Sequence, residues 1–404
     1  MANSLLTIDM ITRKSLSIFE NALVLTRNVN RAYDDSFAVE GAKIGSTLRI
    51  RLPDRALVTS GAALQVQDDN EQYTTLAVSN QAHIGINFTS AELTMQLDDF
   101  ADRVLKPRIS QLAAYVDADV ANSYKSIYQS IGTPGTTPGT SAVLLAGHQK
   151  LNETAAAQAN RYATVNPAAN AGLVEGLKGL FNPQSTISRQ FKTGMMGEGV
   201  LGYDEINMSQ SIATHTTGTR SATASLTVNG TISTQGATTI AVNGDAGAAT
   251  MVVGDVFTVA GVFAVNPQTR QSTGSLQQFT VTALATAASG NWASISVSPA
   301  MYTPVNALAT INAFPQNSAV VTVLGSASTA YPQNLVYQKD AITFATADLL
   351  LPQGVDMASR QVHNGISLRV VRQYDINNDR MPCRIDVLYG FAAIRPAAAV
   401  RMWG

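Results

Sequence analysis

Hydrophobic and polar positions divide the chain into stretches of different period. Between Ile11 and Leu25 the apolar residues Leu16, Phe19 and Leu23 recur at helical spacing. No period follows from Thr26 to Val39, and residues 1–40 read as an arm whose apolar positions need a neighbouring chain to cover them. From 41 to 90 the pattern alternates. Leu48, Ile50 and Leu52 alternate with Arg49 and Arg51, and Ile84, Ile86 and Phe88 alternate with small or polar residues in "AHIGINF". The polar stretch "DDNEQYTT" between them predicts a long two-stranded excursion with a hydrophilic end. Helical spacing returns at Leu93, Leu97, Phe100 and Val104, with Thr89 or Ser90 as cap, and continues through Leu112, Val116, Val120 and Tyr124. Pro107 lacks an N–H and crowds the preceding turn, so it either kinks this helix or opens a second one. "GTPGTTPGT" at 132–140 predicts a loop, and Pro167 precedes a helix carrying Leu173, Leu177 and Leu180.

Then the pattern and the composition change together. From Ser221 to Ala330 only Asp245, Asp255 and Arg270 are charged. Short alternating runs recur at Leu226–Val228, Ile240–Val242, Val256–Val259, Phe279–Val281, Ile295–Val297 and Val320–Val323, separated by Gly, Asn and Pro turns. That spacing predicts an antiparallel barrel or sandwich. Within it, "GDVFTVAGVFAVNP" at 254–267 reads as a hairpin broken at Ala260-Gly261. Mixed, charged sequence resumes after Tyr331. Ile366, Leu368 and Val370, a turn at Asn377-Asn378, and Ile385, Val387, Tyr389 and Phe391 predict a long closing hairpin. The uncharged module thus begins and ends inside another unit, which requires its two ends to lie close together.

Length and charge narrow the function. A chain of 404 residues is expected to form two or three compact units. Charged residues make up 14% of it, against about 25% in an average soluble domain. Either much of the surface meets other protein, or it is wetted through Thr, Ser and Asn. The net charge of −1 provides no strong electrostatic footprint for nucleic acid or membrane. One cysteine, Cys383, excludes an internal disulfide framework. No secretory pattern and no apolar run of membrane-spanning length is visible, so folding in a reducing cytoplasm is expected.

Candidate chemistry is sparse. His83, His148, His215 and His363 have no metal-ligand spacing with each other or with Cys383, and each reads as a surface or turn residue. "GAKIGST" lacks the Gly-Lys-Ser/Thr ending of a phosphate loop. Asp98, Asp99 and Asp102 read as a solvated helix face beside Arg103, Lys106 and Arg108 rather than a cation site. No Gly-x-Ser-x-Gly elbow occurs. No catalytic, cofactor-binding or metal residue is assigned, and a non-enzyme is expected.

Four stretches carry a resemblance: "LDDFADRVLKPRISQLAAYVDADVANSY", "GLFNPQSTISRQFKTGMMGEGVLGYDEINMSQSI", "MVVGDVFTVAGVFAVNP" and "VLYGFAAIRPAAAVRM". In this order the chain resembles tailed-phage major capsid proteins of the HK97-like fold. It is most similar to the coat protein family of the short-tailed Salmonella-phage type, which adds an inserted β-barrel. The resemblance implies an α+β, HK97-like fold. Its parts would be an N-terminal arm at 1–40, an E-loop hairpin with a flanking P-domain strand at 41–90, and the spine helix and P domain at 91–140. The first part of the A domain would follow at 141–222, the inserted all-β barrel at 223–326, and the A-domain return with the closing P-domain hairpin at 327–404.

The implied function is a major capsid protein that self-assembles into pentamers and hexamers, forming an icosahedral shell around double-stranded DNA. The implied partners are further copies of itself, a separate scaffolding protein, a portal protein, a decoration protein where one exists, and the packaged DNA through weak non-specific contact. No cofactor and no membrane are implied. The place is the virion, after assembly in the host bacterial cytoplasm. One departure is visible: "TISTQGATTIAVNG" at 231–244 has no charge and reads as a short loop, so the charged loop by which family members bridge capsomers is not carried over. Two alternatives remain: an encapsulin-type compartment shell, against which the insertion argues, and a surface-layer or adhesin protein, opposed by the long helix and the missing signal.

Overall fold

The computed structural model describes all residues except 1–7, 32–46, 54, 65, 67–71, 90–104, 178–192, 221–224, 246 and 379. These form two compact units of mixed helix and sheet, with strands predominating.

The first unit comprises Met1–Ile50, Tyr73–Ala121 and Ile342–Ile394. Its central strand is Arg380–Ala393. One edge of that strand pairs with Asn80–Thr89, and the other pairs in tandem with Ile366–Arg372 and Ile342–Ala347. Met357–His363 extends the sheet from Ile366–Arg372. The turn joining those two strands places Asn364 and Gly365 at φ of 50° and 73°. Two successive left-handed residues match the twist of a tight hairpin, and Asn-Gly supplies them at little steric cost. The turn expected at Asn377-Asn378 forms because the Asp375 carboxylate accepts from the Asn377 backbone N–H at 3.1 Å and from Asn378 Nδ2 at 2.8 Å.

Alternation in the closing hairpin reads directly onto burial: Ile366, Leu368, Val370, Ile385, Val387 and Tyr389 are all buried. The helices Ile8–Ala22 and Lys106–Ala121 pack together, and Ile8–Ala22 packs on the sheet. Pro107 lies in the first turn of helix Lys106–Ala121. Leu16, Phe19 and Leu23 are buried within this unit. The expectation that residues 1–40 form an arm needing a neighbour is therefore corrected for the described part: the stripe of Ile8–Ala22 finds its cover in its own chain. Asp117 fastens the next segment. It is buried and accepts from the backbone N–H groups of Val24, Leu25 and Thr26 at 2.6, 3.3 and 3.0 Å. Burial raises its pKa, and these donors pull it back.

Two further expectations change. Thr47–Arg51 pairs with Tyr73–Ala77, whereas Asn80–Thr89 joins the large sheet. The two-stranded excursion therefore closes earlier than the alternation implied, because the chain leaves the ribbon at Val78-Ser79. The helical stripe Leu93, Leu97, Phe100 and Val104, and the carboxylates Asp98, Asp99 and Asp102, lie outside the described residues, as do Leu180 and most of "GAKIGST".

The second unit comprises Arg51–Gln72, Asn122–Ala341 and Arg395–Gly404. It contains two six-stranded sheets with separate apolar cores. The first sheet runs in the order Ser130–Ile131, Ala399–Met402, Asn334–Gln338, Arg161–Val165, Tyr203–Met208, Gly197–Val200. Leu144 and Leu151 from helix Ser141–Glu153, and Leu173 from helix Pro167–Gly176, share its core with Val165, Val336 and Val400. Asn166 caps the latter helix by accepting from the Ala169 N–H at 2.8 Å, with Pro167 at its start.

The second sheet is antiparallel and runs Val321–Val323, Val256–Val265, Ser272–Val281, Trp292–Met301, Ala237–Asn243, Thr227–Val228. Its ends meet, with the Val228 N–H donating to Ala319 O at 2.9 Å and the Val321 N–H to Leu226 O at 2.8 Å. The sheet is thus nearly closed. Phe257, Val259, Phe279, Val281, Ile295 and Met301 fill it, and the rings of Phe257 and Phe279 lie 5.8 Å apart.

All six predicted runs fall in or beside these strands, but 254–267 is not a hairpin. Val256–Val265 is one strand with its register shifted between Thr258 and Phe263. Gly261, at φ 79°, bulges outward with Ala260, and Val262 returns to the core. The true turn is at Asn266–Gln271, where the Asn266 N–H donates to Gln271 O at 3.0 Å. Residues 231–244 are also not all loop, since Ala237–Asn243 is a strand.

Phe19→Ala is expected to destabilise the isolated subunit by about 3–5 kcal/mol, measured by urea unfolding. A stability equal to the parent's would return the helix to the role of an exposed arm. Burial pushes the Cys383 thiol up to about 11, so at pH 8 only about one thiol in a thousand is ionised. Alkylation of native protein should therefore be slow and become fast only on unfolding; equal rates in the two states would contradict this placement.

Candidate functional site

The uncharged module enters and leaves its surroundings through adjacent strands. Thr214–Thr216 pairs antiparallel with Ala330–Pro332. Beyond them the Thr217 N–H donates to Thr329 O at 3.1 Å, and the Ser328 N–H to Gly218 O at 3.0 Å. The ends of the module are thus held side by side, as an insertion requires.

Just inside this neck lies a buried polar cluster. Asp255, one of the module's three charges, is 1% exposed. One carboxylate oxygen contacts His215 Nε2 at 2.9 Å. The other accepts from the backbone N–H groups of Val252 at 2.9 Å and Gly218 at 3.2 Å. His215 Nδ1 lies 3.1 Å from the Tyr124 hydroxyl. A ring carrying its proton on Nε2 satisfies both contacts, donating to Asp255 and accepting from Tyr124. Arg401 completes the cluster from the last strand of the neighbouring sheet. It donates through Nη1 to Gly254 O at 2.6 Å and through Nη2 to Thr280 Oγ1 at 3.1 Å, and its guanidinium sits 5.2 Å from the centre of the Tyr124 ring. Burial lowers its pKa to about 9, with Tyr124 and Asp255 offsetting part of the effect, so it keeps its charge at neutral pH. Burial likewise raises Tyr124. Gly254, at φ 102°, lies under the imidazole, where a Cβ would come within 3.2 Å of the ring.

Outward from this cluster further hydrogen bonds join the two sheets. The Ser130 N–H donates to Gln278 Oε1 at 2.6 Å, and Gln278 Nε2 returns a bond to Ser130 O at 3.0 Å. Asn266 Nδ2 donates to Glu153 O at 2.9 Å, and Thr280 Oγ1 to Lys125 O at 3.1 Å. The cluster is closed to substrate: His215 is 5% exposed and Asp255 1%. Its chemistry is that of a joint.

His215 therefore corrects the reading of all four histidines as surface or turn residues. His148 is half-buried with Arg161 Nη1 at 3.1 Å from its Nδ1, while His83 and His363 are exposed. Among the described residues no three His, Cys, Asp or Glu side chains group in a way that could hold a metal ion. The residues that sequence reasoning passed over are Tyr124, His215, Asp255 and Arg401. The one available signal was a lone carboxylate inside an uncharged run.

A family model described as P22 coat protein, gene protein 5, matches residues 1–404. The chain belongs to the P22 coat protein family. Its role is that of a phage major capsid protein, the subunit of the shell. Solved structures similar to this coat protein include that of Mycobacterium phage Che8, at 11% identity over 94% of this chain and 90% of that one, with a TM-score of 0.48. The capsid of cyanophage P-SCSP1u has 11% identity over 91% and 86%, with a TM-score of 0.43. The CUS-3 coat protein I-domain has 27% identity over 26% of this chain and 100% of that one, with a TM-score of 0.21. Among curated proteins no match reaches significance.

Asp255→Ala should cost the subunit about 3–5 kcal/mol in urea unfolding, because it strands buried donors beside a buried guanidinium. A loss below about 1 kcal/mol, the range of an exposed pair, would show that the cluster is not a closed joint.

Proposed function

We propose that this coat protein is an HK97-like subunit in which residues 223–326 form an inserted β-barrel, and that it assembles into pentamers and hexamers closing an icosahedral shell around double-stranded DNA. The remaining domain limits are those proposed from the sequence: an N-terminal segment at 1–40 whose helix packs on its own chain, E-loop and flanking strand 41–90, spine helix and P domain 91–140, and the A domain at 141–222 with its return and the closing hairpin at 327–404. The shell forms in the host cytoplasm with a separate scaffolding protein and a portal protein. The subunit acts without catalytic, cofactor or metal residues.

Membership of the coat protein family over residues 1–404 carries this reading. The nearly closed sheet with its own core, and the paired strands at its neck, support the inserted barrel. A closed shell does not need tight individual contacts. A standard interface buries about 1,600 Å² in total, and several such contacts per subunit reinforce one another through multivalency.

Electron microscopy of the subunit co-expressed with its scaffolding partner should show closed icosahedral particles; a protein that stays monomeric would contradict the reading. Expressed alone, residues 223–326 should unfold cooperatively, and Phe279→Ala should weaken that fragment by about 3–5 kcal/mol. A fragment without dispersed amide signals would remove the barrel from the account.

A further inference from the structure

The strand Asn80–Thr89 lies at the border of the large sheet in the first unit. It pairs with Arg380–Ala393, and among the described residues no strand pairs with its other edge. Such an edge leaves N–H and C=O groups of alternate residues available to another chain, although Gly85 O already accepts from Arg108 of the helix packed against this strand. Proteins usually blunt a long edge with lysine, proline or a bulge. This one carries Gln81, His83, Gly85 and Asn87, all exposed, and runs ten residues in unbroken register.

Gly85 is the informative position. Its backbone is not in the left-handed region, and a Cβ placed on it would meet nothing within 4 Å. Nothing among the described residues of this unit requires glycine there. Glycine inside a strand otherwise marks a place where another backbone approaches closely.

The surface around Gly85 is basic. A groove of about 590 Å³ is lined by His83, Gly85, Arg108, Arg380 and Arg384, with Asp375 as its carboxylate. Arg108 Nη1 donates to Gly85 O at 2.8 Å. Arg380 and Arg384 each commit Nε inward, to Asp375 at 3.1 Å and Asp386 at 2.9 Å, while 45% and 46% of their side chains stay exposed. A guanidinium has five N–H donors, so all three arginines keep donors for an incoming acceptor.

We propose that this edge is a docking site for an extended acidic segment of another chain, which pairs with Asn80–Thr89 across Gly85 and sets its carboxylates on Arg108, Arg380 and Arg384. Main-chain pairing would supply affinity, and the arginines would supply selectivity. A nucleic acid could use the arginines but not the strand edge, which is why a peptide fits better.

The test uses the full-length soluble subunit, so it does not depend on shell formation. The probes are a short fluorescent peptide alternating Asp and Thr, its Lys/Thr counterpart, and a short DNA duplex. The acidic peptide should raise anisotropy and slow hydrogen exchange at residues 80–89, while the other two should not. Arg380→Glu with Arg384→Glu should weaken the acidic peptide at least about tenfold. Gly85→Val should do the same with an unchanged melting temperature, since the space for its side chain is open. Equal binding of both peptides, preference for the duplex, or full affinity in a folded Gly85→Val variant would each overturn the proposal.

Discussion

A carboxylate taken out of water must be satisfied where it lies, and the second unit is arranged around that requirement at Asp255. Its acceptors are filled by His215 and by two backbone N–H groups, with Tyr124 and Arg401 closing the cluster. These residues are far apart in sequence: Tyr124 follows a long helix, His215 enters the module, and Arg401 lies in the final strand. They converge only when the module is seated in one orientation. An unpaired buried charge costs several kcal/mol, so misplaced seatings are disfavoured even where apolar contact would tolerate them.

The same constraint accounts for the odd charge distribution. Most of the module's buried apolar side chains lie in its own core, and most of those of the neighbouring sheet lie in theirs. The contact between them carries hydrogen bonds through Ser130, Gln278, Asn266, Glu153 and Thr280. Such bonds exchange for bonds to water and contribute about 1 kcal/mol each in net terms. They orient more than they stabilise, which suits a coat subunit that must present fixed surfaces to its neighbours.

Local periodicity made much of this legible. The stripe Leu112, Val116 and Val120 became a buried helix face, and the alternations at Phe279–Val281, Ile366–Val370 and Ile385–Tyr389 became buried strand faces. Departures arose where pairing partners are distant. Ala260-Gly261 has the composition of a turn, but strands on both sides hold Val256–Val265 straight through it, so the glycine becomes a bulge. Leu16, Phe19 and Leu23 read as an arm because their cover, helix Lys106–Ala121 and strands Met357–His363 and Ile366–Arg372, lies far along the chain. His215 carried no motif, because its partners Tyr124 and Asp255 stand 91 and 40 residues away.

The central claim is that two complete cores are joined by a polar seam locked at Asp255. Native-state hydrogen exchange of the full chain tests it most directly. The amides of Gly218, Val252 and Ser130, which donate across or beside the seam, should open at a lower free energy than those of Phe279 and Val336 in the two cores. Asp255→Asn should lower the seam values further while the core amides remain the more strongly protected. If seam and core amides exchange together, only through global unfolding, the two sheets share one cooperative core and the account is wrong.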